Sequence, residues 1–228
     1  RFVLFRQRIL PLNQTMDEQH YETLVRIKSA NGELVYPNDF IPAAEKYGLI
    51  KQIDRAVIDA TLTMMSEQDI LNSYSINLSG ASLGDRDIIE FVHQVLERTG
   101  VEPKRVCFEI TETSAISHLN SALIFMGQMI ERGCIFALDD FGSGFSSFSY
   151  LQQLPISIIK IDGAFVRDID TNEVNRIFVE NIQRTATAMG KKTVAEFIET
   201  GDIEKILTEI GIDYGQGYHI HKPEKCYE

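Results

Sequence analysis

The chain has no tryptophan, only three cysteines among 228 residues, and six prolines that gather into no linker. Cys107, Cys134 and Cys226 form no CxxC pair, and the first two sit inside apolar runs. They read as buried reduced thiols in a reducing compartment, which excludes a disulfide scaffold. His219 and His221 make an HxH without an evident third ligand, which argues against zinc. Basic charge is scarce: 22 Lys and Arg face 33 Asp and Glu, for a formal net charge of -11. Without a basic stripe to displace counterions, binding to a DNA or RNA polymer is not expected. No apolar stretch approaches the ~20 residues of a membrane helix, so this domain is expected to make no membrane contact. No GxGxxG follows the first strand-like run, which weakens a dinucleotide-binding fold.

What the chain does have is a series of short apolar runs, each ending in a polar residue suited to hold a cation. They read SINLS (Asn77), VCFEIT (Glu109), CIFALDD (Asp139, Asp140), IIKID (Lys160, Asp162) and KTVAE (Glu196). The marked residues lie roughly 20 to 36 apart, about one strand-plus-helix unit. Strands are expected at 2–12 and 20–28, joined by the polar turn NQTMDEQ. Helical stretches are expected at 37–47, over Ile53 to Met65, and at about 85–99, 118–132, 173–189 and 202–210. Several of these stop at a glycine. CIFAL is expected to open into a loop, DDFGSGFSSFSYL. This alternation points to a single α/β domain over 1–228, a (β/α)₈ TIM-type barrel with its polar strand ends on one rim.

Carboxylates at strand ends must be paired, protonated or metal-bound. Oxygen donors with one amide and no thiolate select hard cations, Mg²⁺ or Mn²⁺. In the DD pair, one acid could bridge two ions while its neighbour binds one. Lys160 ends a strongly apolar run, where an ammonium needs anions. It is expected at the rim of the acidic site, holding water or a phosphate oxygen.

At these residues the chain resembles the EAL-domain family of cyclic di-GMP phosphodiesterases. The resemblance is an ordered series over nearly the whole chain: Gln7 in the first strand, Glu22-Thr23-Leu24, Arg26, DFIPAAEKYGLI, INLS, FEITET, ALDDFGSGFSS, KIDGAFV, AEFIET and DYGQGY. It implies that the first strand runs antiparallel to the others. It also implies two-cation hydrolysis of cyclic di-GMP to linear pGpG, with Glu22, Asn77, Glu109, Asp139, Asp140 and Glu196 as metal ligands. Lys160 matches the family's catalytic lysine, and Gln216 the glutamine near the attacking water. Glu22 and Glu196 belong to the same catalytic group. Gln7, Arg26, Asp162 and Glu199 fall where the family contacts the dinucleotide. Glu112 matches the acid that supports the DDFGSGFSS loop, which in the family couples dimerisation to metal binding.

The sequence departs from the family pattern at Thr23, Arg8, Gly163 and Phe197. The motif alanine, a frequent proline, a frequent arginine and a frequent glycine stand there in the family. Two other readings stay open: a catalytically silent cyclic di-GMP receptor, and a metal hydrolase of another phosphate ester. The chain opens on Arg1, inside the apolar segment FVLFRQRIL, and reads as a domain excised from a longer signalling protein. A homodimer in the cytoplasm is expected. Sensor or cyclase domains, and any membrane anchor, would lie elsewhere in the parent chain.

Overall fold

A computed structural model describes residues 2–13, 19–68, 71–85, 87–144 and 150–226. Most of the turn expected at NQTMDEQ and the centre of the expected glycine-serine loop, 145–149, lie outside the described residues. The chain opens with two antiparallel strands, β1 (Phe2–Pro11) and β2 (His20–Lys28), which place Gln7 opposite Glu22. A two-residue strand β3 (Leu34–Val35) leads to helix α1 (Pro37–Lys46). Proline suits the first turn of α1, where its missing N–H would have no partner anyway. Helix α2 (Ile50–Gln68) buries Ile50, Ile53, Val57, Ile58, Leu62 and Met65, one apolar stripe at helical spacing. Each such side chain contributes about 1.5–3 kcal/mol on burial.

Strand–helix units follow: β4 (Ser73–Asn77), α3 (Gly80–Leu83) and α4 (Ile88–Thr99), then β5 (Val106–Thr111), α5 (Glu112–Ser117) and α6 (Leu119–Glu131). Next come β6 (Ile135–Phe141), β7 (Ile158–Ile161), α7 (Gly163–Val166), α8 (Glu173–Ala188), β8 (Lys192–Ala195) and α9 (Gly201–Ile210). Two short strands, β9 (Tyr214–Gly215) and β10 (Glu224–Lys225), complete the chain. Gly100 and Gly211 close α4 and α9 at φ 67° and 91°, left-handed positions that suit glycine.

Strands β2 and β4 through β9 are successive parallel neighbours, and β1 lies antiparallel between β9 and β2. The eight strands thus close into a helix-covered barrel, with the reversed first strand expected from the sequence. The helix expected at 118–132 is α6; a short helix that the sequence pattern does not announce, α5, precedes it, capped by Thr111 at the strand end. One expectation needs correction. The segment after CIFAL is not yet loop: β6 continues through Asp139, Asp140 and Phe141.

Candidate active site

The carboxylates meet at the C-terminal mouth of the barrel, and Lys160 stands among them. Its Nζ lies 2.6 Å from Glu109, 2.9 Å from Glu196, 3.1 Å from Asp139 and 3.5 Å from Glu22. The lysine is not at the rim, as its place in the sequence implied. It is 1% exposed, because Ile161 continues β7 and leaves Lys160 inside the barrel. Burial opposes its charge, but Asp139, Glu109, Glu196 and Glu22 together hold its pKa well above the ordinary lysine value.

One ammonium does not balance five acids. Burial, with Asp139 and Glu22 beyond the opposing Lys160, pushes Glu196 up to about 8. Burial and the neighbouring Asp139 push Asp140 up to about 6. Glu109 is also raised by burial and by Glu22 and Asp139, despite Lys160. Glu22 goes the other way: burial is outweighed by Lys160 and by the amides of Gln216 and Asn77. Acids that raise one another's pKa in this way form a site short of positive charge.

Asp139, Asp140 and Glu196 each offer an oxygen, all within 4.8 Å of one another. In a regular strand, Asp139 and Asp140 would point to opposite faces. Here the pairing of β6 with β7 shifts register between Leu138 and Phe141, and Asp140 takes φ 54°. That irregularity brings the neighbouring acids together. Asp139 Oδ1 is buried and, though near Lys160, accepts no hydrogen bond. Asn77 Nδ2 donates to Glu22 Oε1 at 2.7 Å, which leaves the amide oxygen of Asn77 for another partner. This all-oxygen, over-acidic set fits a hard divalent cation and contains no soft ligand.

Gln216 Nε2 donates to Glu22 Oε2 at 2.7 Å and to Gln7 Oε1 at 3.2 Å, while Gln216 Oε1 is buried without a partner. Gln7, Glu22, Glu196, Glu199 and Gln216 line a cavity of about 320 Å³. A second cavity, about 640 Å³, is lined by Asn77, Thr111, Asp139 and Asp140. The two share Leu24 and Asp140. Arg26 and Asp162 line neither. Arg26 Nη1 donates to the Val25 carbonyl and its guanidinium lies over Tyr36, while Asp162 Oδ1 accepts from Ala164 N and caps α7. Glu112 is buried and accepts from Gly142 N and the Tyr150 hydroxyl at 2.9 and 2.7 Å, so it ties down both ends of the loop after β6.

The first cavity also includes Phe197, Gly217 and Tyr218. Tyr218 is a site residue that the sequence reading does not name by itself; its signal is an aromatic two residues after Gln216, at the end of DYGQGY. Thr23 is buried, and its hydroxyl has no hydrogen-bond partner.

The EAL domain model matches residues 9–223. Among curated relatives, the cyclic di-GMP phosphodiesterase PdeB of Shewanella oneidensis is 40% identical over 97% of this chain and 26% of its own length. The cyclic di-GMP phosphodiesterase PdeF of Escherichia coli K12 is 35% identical over 94% of this chain and 29% of its own length. The chain therefore spans between a quarter and a third of these relatives. Among solved structures, the EAL domain of FimX from Pseudomonas aeruginosa bound to c-di-GMP superposes with a TM-score of 0.93 at 28% identity, covering 99% of this chain and 91% of that one. The MucR phosphodiesterase in complex with c-di-GMP gives 0.90 at 30% identity, over 98% and 92%. A barrel with one reversed strand and an acid-lined mouth, matched over this length, places the chain in the EAL domain family.

Proposed function

We propose that the chain hydrolyses cyclic di-GMP to linear pGpG with the help of two divalent cations, Mg²⁺ or Mn²⁺. The observation that carries this reading is the convergence of Glu22, Glu109, Asp139 and Glu196 on the single cation Lys160, with Asp140 beside Asp139 and Glu196. Glu22, Asn77, Glu109, Asp139, Asp140 and Glu196 would hold the ions. Bound there, the ions would supply Lewis-acid polarisation and water activation. They would also explain how a chain of net charge -11 accepts a ligand with two phosphates.

The chain's own residues supply the rest. Gln216 Oε1, buried and unpaired, is an acceptor that can orient the attacking water. That water gives up a proton to a carboxylate of the cluster and adds in line to one phosphorus, and the bond to the 3′ oxygen breaks. The departing oxygen takes up a proton in turn, so the carboxylate is restored and the ring opens. Lys160, buried among the acids, would stabilise the phosphoryl oxygens through its charge as theirs grows. Two cavities that share Asp140 suit a substrate with one nucleoside on each side of a central ring. Gln7 and Glu199 line the first cavity, with Arg26 and Asp162 at the periphery of the substrate.

The relatives' greater length supports a parent chain with sensor or cyclase domains. The MucR relative, matched over 30% of its own length, is named a bifunctional diguanylate cyclase and cyclic di-GMP phosphodiesterase. The reading includes a homodimer, which sedimentation would show. Among the described residues no helix is long and apolar enough to cross a membrane.

The test is incubation with cyclic di-GMP and Mg²⁺ or Mn²⁺, followed by chromatography. Linear pGpG is expected, and a chelator should prevent it. Absence of product at every dimer-forming concentration overturns the reading. Tight binding without ions and without turnover would instead identify a receptor.

A further inference from the structure

Phe197 directly follows Glu196 and takes φ 55°, a backbone region costly for a bulky residue. It is nonetheless 45% exposed, so core burial does not account for it. Its ring lies on Gly163: a Cβ at that position would stand 2.1 Å from Phe197 Cδ2, so only glycine fits beneath it. One helical turn after Gly163, Arg167 lays its guanidinium over the same ring, 4.1 Å from the centroid. Asp168 and Asp170 are close in sequence, yet among the described residues Arg167 forms no ion pair. Among the described residues, an exposed guanidinium without a carboxylate partner thus adjoins a cavity whose lining includes four acids, Glu22, Asp140, Glu196 and Glu199.

We propose that Phe197 and Arg167 form a guanine-recognition element at the mouth of this cavity. The proposal rests on the cyclic di-GMP reading above. The guanidinium fork donates to O6 and N7 of one guanine, a pairing its geometry suits. The phenyl ring carries the guanidinium and gives the base an apolar flank. The missing side chain at Gly163 is what lets the ring lie there. Adenine presents a donor where guanine has O6, so the element would select against it.

Arg167→Met keeps an apolar chain over Phe197 and removes the donors. Steady-state hydrolysis and calorimetric binding in Ca²⁺ would be measured with cyclic di-GMP and cyclic di-AMP. For cyclic di-GMP, KM and Kd are expected to rise roughly ten- to hundredfold in this variant, the range for loss of a bidentate base contact. The kcat should stay near the wild-type value, and the preference over cyclic di-AMP should fall by a similar factor. Arg167→Lys, which keeps the charge and loses the fork, should recover part of the affinity but little of the preference. Phe197→Leu should move both quantities in the same direction by less. Unchanged affinity and preference in Arg167→Met, with a normally active wild type, overturn this element alone. A wild type that neither binds nor cleaves cyclic di-GMP overturns the substrate reading and the element together.

Discussion

His20 and Glu22 on β2, Ser75 and Asn77 on β4, and Cys107 and Glu109 on β5 stand two residues apart, so each pair shares one strand face. The first members make a neutral layer. His20 Nε2 lies 2.8 Å from Ser75 Oγ, and burial with the charge of Lys160 pushes the histidine down to about 4. Burial, then Glu109, pushes the Cys107 thiol above its usual range. This layer borders a cavity of about 240 Å³ at the opposite mouth, lined by Ile9, His20, Arg105, Cys107 and Lys192. The second members are the charged layer around Lys160. One step of the strand repeat separates a neutral floor from a site short of positive charge. The floor carries no charge to offset the acids above it, so what Lys160 does not balance is left for a ligand.

The contrast breaks most sharply at the charged layer. Glu22→Ala and Asp139→Ala are expected to abolish turnover of cyclic di-GMP, because each removes a proposed cation ligand. Retained activity in either would refute its assignment. Lys160→Met should lower kcat and, without divalent ions, destabilise the fold by about 3–5 kcal/mol, the range for leaving buried partners uncompensated. Mn²⁺ should narrow that gap in a thermal melt, since a bound cation supplies the charge that the ammonium supplied. A Lys160→Met protein as stable as the wild type without metal would show that the acids carry little charge in the free protein.

The order of the charged layer was legible in the sequence because parallel barrel strands are short apolar runs with function at their ends. The bounds of β2 and the reversed first strand were legible too, the latter by resemblance. The depth of Lys160 was not, because a strand-end position does not say whether the next residue continues the strand. Nor was the approach of Asp139 to Asp140, which depends on a register shift against β7. Glu112 was placed by resemblance, whereas its bonds to Gly142 and Tyr150 are long-range geometry that no local pattern announces. Gly163 and Phe197 were each visible as departures. Their contact was not, since only the fold brings the ends of β7 and β8 together.

That contact gives a smaller and more local test. Gly163→Ala alone should destabilise by about 1–3 kcal/mol, the usual range for overpacking, because the new methyl would meet the Phe197 ring. In the Gly163→Ala/Phe197→Gly double variant most of that loss should vanish, a non-additivity that urea denaturation can read. Additive effects would mean that the ring moves aside freely. Phe197→Gly alone also asks whether the ring restrains Glu196: a rise in kcat would say that it does.

The smallest effect belongs to the neutral floor. Cys107→Ala removes one buried sulfur and should destabilise by about 1–2 kcal/mol, less than a large-to-small change of a full aliphatic side chain. Its kcat should stay near the wild-type value. Glu109→Gln, on the same face of the same strand, should remove activity. Native protein should react slowly with a thiol reagent at neutral pH, because all three cysteines are buried and burial pushes Cys134 and Cys226 up to about 12. All three should react in denaturant. If Cys107→Ala stopped turnover while the protein stayed folded, the floor would be part of the reaction chemistry. If it does not, the boundary between the two layers lies between Cys107 and Glu109.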